Sequence, residues 1–340
     1  MKRCLFLALL TTLATQLAAE ERKWGFWFRD PFSCSVHFDN DLFVRTDRYY
    51  TNGMRVSLLS EDIRTEDLPG WTQQVYRWIP FFDQPDYLNN IGLALGQNIY
   101  TPRDITIAAS QPDDHPWGGW LYLGLSLHHK SDTVLHKLEL QFGIVGPDAQ
   151  GEEAQKFIHR LRGLDTPEGW DNQLRTEPGV RLSYLYKKRI ATWGNGDGWG
   201  SDFMPDFGVT LGNIRTDASL GATLRAGWRM PRDFHSLRID ESGYVTGNQD
   251  EFRAGWRQVS FFVFAGLHGY AVAHDLFLDG NTFRDGPSVD RRPFVGTAET
   301  GVGVRWGRCQ LVYAHVMRSL EFDQQDSGQQ FGSITATCFF

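Results

Sequence analysis

The last ten residues, FGSITATCFF, place Ile334, Ala336, Cys338 and Phe340 on one side of an extended chain and Ser333, Thr335 and Thr337 on the other. Successive side chains of a strand point to opposite faces, so one face here is apolar and the other small and polar. The same period recurs in GVGVRW, where Val302, Val304 and Trp306 alternate with Gly301, Gly303 and Arg305. Twelve such segments are read near residues 31–41, 50–60, 89–100, 118–129, 134–146, 179–190, 204–213, 218–229, 258–273, 293–306, 309–319 and 331–340. Most have about the 9–11 residues that a tilted strand needs to cross a bilayer. A soluble sandwich also alternates, but aromatics gather at these strand ends, as in WGGWLYLG, FFVFAG and the final Phe339-Phe340, in the manner of two interfacial girdles. Closed barrels are the only sheets that can span lipid, because an open edge leaves backbone groups unsatisfied. The fold expected is therefore all-β, a twelve-stranded antiparallel transmembrane β-barrel. A mean hydropathy of -0.38 is compatible, since a polar lumen lowers the average.

The N-terminus, MKRCLFLALLTTLATQLAAEE, has Lys2 and Arg3, an apolar core, and small residues Ala18 and Ala19. This is the anatomy of a secretory signal peptide over 1–19, leaving 20–340 as one barrel domain. Its removal takes two positive charges and shifts the formal net charge from -7 to -9. No basic cluster exceeds Lys187, Lys188 and Arg189, which argues against nucleic acid as a partner. The exported chain keeps Cys34, Cys309 and Cys338, an odd number that argues against a disulfide framework, although Cys34 and Cys338 fall on strands that pair when the barrel closes.

An even strand count puts both termini on one side, the periplasm for an exported barrel. The connection GPDAQGEEAQKFIHRLRG then lies on the outer side. It predicts a helix over 149–163, with Asp148 as N-cap and Gly163 as the C-terminal signal. Gln155 and His159, four apart, share a face of that helix. Between residues 61 and 87 a short amphipathic helix is expected at 70–78, with Trp71, Tyr76 and Trp78 suited to the membrane interface. WGNGDGWG, 193–200, reads as a turn, and the turn LFVRTDR as exposed at the cell surface.

The stretch FDNDLFVRTDRYYTNG, residues 38–53, delivers Asn40 and Asp41 from one strand and Thr51 from the next to the same rim. On strict alternation Asp41 and Thr51 follow the face of Ser35, His37, Arg55 and Ser57, whereas Asn40 points the other way unless a bulge re-aims it. A hairpin whose Asp and Asn cap their own turn would use the same residues.

NDLFVRTDRYYTNG, LGLALGQNIYTPRD, GIVGPDAQGEEAQKFIHRLRG and GWDNQL together resemble the LpxR family of outer-membrane lipid A deacylases, across nearly the whole mature length. The resemblance implies a twelve-stranded outer-membrane barrel with an active site facing the cell exterior, between the wall and a helix from an outer loop. It implies lipid A, within lipopolysaccharide, as substrate, and calcium-dependent hydrolysis of the 3'-acyloxyacyl ester. The family's Asn-Asp pair falls on Asn40 and Asp41, its rim threonine on Thr51, and its Gln-x-x-x-His on Gln155 and His159. Asp165 stands where the family has an acid, with a side chain shorter than Glu. Arg103 is nearest to the family's basic residue in the loop after the third strand. A substrate-binding role is implied for both.

The residue types suit the chemistry. A histidine, ordinarily titrating near pH 6.5, is available neutral at about pH 7 to take a proton from water. Calcium prefers oxygen ligands, which Asp41 and Asn40 supply in part, and a bound cation would polarise the acyl carbonyl. Gln155 is placed to orient water or substrate, and Thr51 to give a hydroxyl. The alternatives are an outer-membrane phospholipase-type esterase, which needs a serine beside a histidine, and a non-enzymatic barrel or porin, which needs no helix carrying Gln155 and His159.

Overall fold

The computed structural model describes residues 33–41, 49–68, 70–82, 84–194, 198–234 and 259–340. The leader read at 1–19, the turn at 42–48, residues 195–197 of the glycine-rich turn and the side chain of Trp71 lie outside the described residues.

The strands are β1 (Ser33–Asn40), β2 (Tyr49–Leu59), the short β3 (Ile63–Arg64), β4 (Leu88–Thr101), β5 (Gly118–Lys130), β6 (Val134–Val145), β7 (Glu177–Lys188), the short β8 (Ala191–Trp193), β9 (Trp199–Gly212), β10 (Arg215–Trp228), β11 (Val259–Asp275), β12 (Phe294–Trp306), β13 (Cys309–Arg318) and β14 (Gln329–Phe339). The twelve long strands pair antiparallel with their sequence neighbours, and β14 returns to β1 with Ser33 opposite Phe339, closing the barrel. The two short strands, which the sequence did not announce, extend β4 and β9 beyond the wall.

The period-two pattern decides which way each residue faces. Leu93, Leu95, Leu123, Phe142, Leu220 and Leu267 remain exposed on the outward face, the pattern of a lipid-facing wall. Polar residues turn inward and pair there: Arg55 with Glu139 at 2.8 Å, His37 with Asp39 at 2.9 Å, and His268 with Asp206 at 3.2 Å. Arg225 lies between Asp202 and Asp233. The interior is not wholly polar, as a polar-lumen barrel would be. Phe262, Phe264, Val312, Ala314, Val316, Phe331 and Tyr50 form a buried cluster inside it. Gly303 and Gly301 make room for its rings, because a Cβ there would come within 2.2 Å of Phe262 and 2.3 Å of Phe264. The alternating Gly-Val run is thus explained by packing as well as by the wall.

Helix α1 (Gly70–Trp78) lies against the outer wall. Tyr76 is buried beneath it and donates its hydroxyl to the His128 carbonyl at 3.0 Å, while Phe82 stacks on His129. Of the two described aromatics expected at the bilayer interface, only Trp78, 86% exposed, is placed to reach it. The cysteine reading is also corrected. Cys338 faces Cys34 across β1 and Cys309 across β13, and it is bonded to Cys309, whose Cα is 4.2 Å away. Removing one leader cysteine left an odd count, but one odd thiol does not prevent the other two from meeting across neighbouring strands.

Breaking a buried ion pair on one side costs about 3–5 kcal/mol, more than replacing both partners by apolar groups. Glu139→Leu is therefore expected to destabilise the barrel by that order, and Arg55→Leu/Glu139→Leu to recover most of the loss, measured by urea unfolding in lipid vesicles.

Candidate active site on the outer wall

Asn40 ends β1 on the outward alternation of Cys34, Val36 and Phe38, yet it is buried where those are only partly so. It stays on the face that alternation assigns, and Thr51 is the residue that departs. Pairing of β2 with β4 slips between Tyr50 and Asn52, leaving Thr51 as the extra residue of a bulge. Thr51 therefore does not follow Arg55 and Ser57 into the lumen. Its hydroxyl lies 2.6 Å from that of Thr101, which continues the outward series of Gln97 and Ile99 in β4. Asn40 donates its amide N–H to the Thr51 carbonyl at 3.2 Å. Because a carbonyl only accepts, this contact turns the Asn40 Oδ1 away from Thr51. Asp41 follows in the chain and is 0% exposed.

The second group rides on helix α2 (Gly151–Arg162), which packs on β4 and β5. Asp148 is not its N-cap. It sits in the 3-10 turn Pro147–Ala149, and Gln150, left-handed at φ 57°, precedes the helix with no side-chain cap. Gly163 ends it as expected, left-handed at φ 69° with its N–H on the His159 carbonyl. Gly151, Gln155 and His159, spaced by four, form the buried face, while Phe157 and Leu161 point outward. The helix start is pressed closely onto the wall: a Cβ at Gly119 of β5 would lie 3.2 Å from the Gly151 Cα. Gln97 donates to the Ala149 carbonyl at 2.7 Å and fixes the turn before the helix.

His159 is held by its own segment. Its Nδ1 is 2.6 Å from the backbone carbonyl of Asp165. A carbonyl cannot donate, so Nδ1 carries the proton and the lone pair of the neutral ring is on Nε2. The Asp165 side chain itself is exposed. Arg103 is exposed too, its backbone N–H on Asp114 and its guanidinium paired with Asp326, which raises its pKa by hydrogen bonding and charge.

The structure thus brings Asn40, Thr51 and Thr101 together at one point and Gln155 and His159 together at another. Registry joins them. Asn40 pairs with Asn52, Asn52 with Ile99 and Ile99 with Gly119, a row of outward positions across four strands. Neighbouring strands lie about 4.8 Å apart, so Asn40 and Gly119 are separated by roughly 14 Å of wall. Ile99 packs with Ile105, Trp117 and Trp170, and Trp170 bonds Gln155. Thr101, Gly119 and Trp170 were not singled out from the sequence as site residues. Trp170 lies inside GWDNQL and Gly119 inside WGGW.

Among the described residues no three of His, Cys, Asp and Glu converge as a metal cluster. A calcium site would instead be mostly neutral oxygen: the buried Asp41 carboxylate, Asn40 Oδ1, and the hydroxyls of Thr51 and Thr101. That donor set is of the oxygen type a hard cation takes.

The model of the family described as outer membrane protein LpxR matches residues 5–340. The solved structure of LpxR from Salmonella typhimurium is similar with a TM-score of 0.72 at 18% identity, over 91% of this chain and 100% of its own. The COG4313 outer membrane channel from Pseudomonas putida F1 reaches a TM-score of only 0.40 at 11% identity, over 93% of this chain and 98% of its own. No curated protein matches the sequence. Matched over nearly its full length, and folded as a closed twelve-stranded barrel, the chain belongs to the LpxR family of outer membrane proteins.

Proposed function

We propose that the protein is a lipid A 3'-O-deacylase that hydrolyses the 3'-acyloxyacyl ester at the outer leaflet, facing the cell exterior, with calcium as cofactor. The observation that carries this reading is a buried histidine on the lipid-facing side of the wall, its proton fixed on Nδ1 and its lone pair on Nε2. Family membership narrows the substrate to lipid A.

His159 Nε2 takes a proton from water as the water oxygen attacks the acyl carbonyl carbon. The tetrahedral intermediate collapses, the C–O bond to the sugar breaks, and the imidazolium returns its proton to the departing 3'-oxygen. The products are a free 3'-hydroxyl and the acyloxyacyl carboxylate. Asp165 positions the base through its carbonyl, and Gln155 lies on the same helix face one turn earlier. Asp41 and Asn40 would hold calcium, with the Thr51 and Thr101 hydroxyls beside them. Bound calcium supplies positive charge for the developing oxyanion. Arg103 would have to exchange Asp326 for a lipid A phosphate, so its share in substrate binding is secondary.

The serine-esterase alternative finds poorer support. Ser333, His37 and Asp39 do meet, but inside the lumen, buried. There Ser333 and Asp39 contact the same nitrogen of His37, so the carboxylate cannot orient the ring for the serine. A porin is disfavoured by the ion pairs and phenylalanines that fill the interior.

His159→Ala is expected to lower deacylation by about 10²–10⁴-fold, the usual contribution of a general base, while the barrel stays folded and heat-modifiable. Asp165→Ala is expected to stay close to wild type, because the backbone carbonyl survives the change. Mass spectrometry of lipid A from cells carrying each variant reads both. Calcium is checked without turnover: added Ca²⁺ should raise the melting temperature of the detergent-solubilised protein, since a ligand of the folded state stabilises it. A chelator should reverse the shift, and Asp41→Asn should abolish it.

A further inference from the structure

Trp170 opens a 3-10 turn, Trp170–Asn172, and is buried against Trp117 with ring centroids 5.0 Å apart. A Cβ at Gly151 would come within 2.9 Å of its ring, so the indole is wedged against the start of helix α2. Its Nε1 lies 2.8 Å from Gln155 Oε1. An indole N–H can only donate, so the Gln155 atom it meets is the carbonyl oxygen, and the amide cannot be the other way round. The NH₂ end is left pointing elsewhere. Gln155 Nε2 is buried and meets no acceptor among the described residues. A buried donor without an acceptor is costly, by about 1–3 kcal/mol, unless something supplies one. His159 lies one turn further along the same face.

We propose that Trp170 is a positioning residue, whose indole N–H locks the Gln155 amide so that its NH₂ donates to the oxyanion of the tetrahedral intermediate. This rests on the deacylase reading of the site. With the indole donor gone, the amide can turn over and present Oε1, a lone pair that repels the oxyanion. Gln155 then changes from a stabilising donor to an opposing acceptor with no change in the packing around it.

Trp170→Phe keeps an aromatic ring and removes the donor. It is expected to lower kcat about tenfold, the scale of one hydrogen bond, with KM unchanged, and to cost nothing more in a Gln155→Ala background. An equal loss in both backgrounds, or no loss in either, overturns the proposal. The contact is also read apart from activity. In the solubilised full chain labelled with ¹⁵N at its indoles, the Trp170 N–H resonance, identified by its disappearance in Trp170→Phe, should move upfield in Gln155→Leu. A resonance that stays in place overturns the proposal whatever the activity. One that moves in a protein unable to release acyl chains upholds the amide's orientation and refutes the deacylase reading alone.

Discussion

The close approach of Gly151 to Gly119 sets everything else on the outer wall. A helix packs against a surface at a distance decided by the side chains between them, and here there are none at the point of contact. Ala149 and Trp170 fill the space on either side. With the helix start held against β5, the four-residue spacing carries Gln155 and His159 along its buried face. The barrel supplies a rigid floor, because closure leaves it no free edge. The candidate site is therefore a seam between a fixed wall and a helix seated on it, rather than a pocket inside the barrel.

Within that seam each polar group has its direction fixed by a neighbour that can act in only one sense. The Asp165 carbonyl accepts from His159 and leaves the ring's lone pair on Nε2. The Trp170 indole donates to Gln155 and leaves its NH₂ turned away. The Thr51 carbonyl accepts from Asn40 and turns its Oδ1 away from Thr51. Each costs one local contact and removes one ambiguity of orientation, which is the preorganisation that electrostatic stabilisation requires.

The strands were legible because the period of two is written into every one of them. All twelve long strands lie where the alternation put them, within a few residues at either end. The helix was legible from its composition and from Gly163. What escaped were features set by distant partners. The bulge that turns Thr51 outward arises in the pairing of β2 with β4, and nothing in YYTNG announces it. Asn40 therefore needed no re-aiming, and it was Thr51 that moved. Asp148 looks like a cap because its residue type favours that role, yet the Gly146-Pro147 turn places it two residues before the N-cap position, which Gln150 takes. Tyr76 resembled an interfacial aromatic but was drawn under its helix by the His128 carbonyl. The Cys309–Cys338 bond depended on which of the two strands beside β14 supplied the partner. Local pattern thus gave the scaffold and most of the candidate residues, while their final directions came from contacts between segments far apart in the chain.

Deacylation on the outer wall requires that the helix stay seated there. Gly119→Val tests it most directly, because position 119 faces the outer wall, and valine there suits a barrel strand. The added methyl groups cannot fit beneath Gly151, so the helix must lift. Lipid A extracted from cells expressing the variant should keep its 3'-acyloxyacyl chain while the barrel remains folded and heat-modifiable. Release of that chain at the wild-type level would contradict the account.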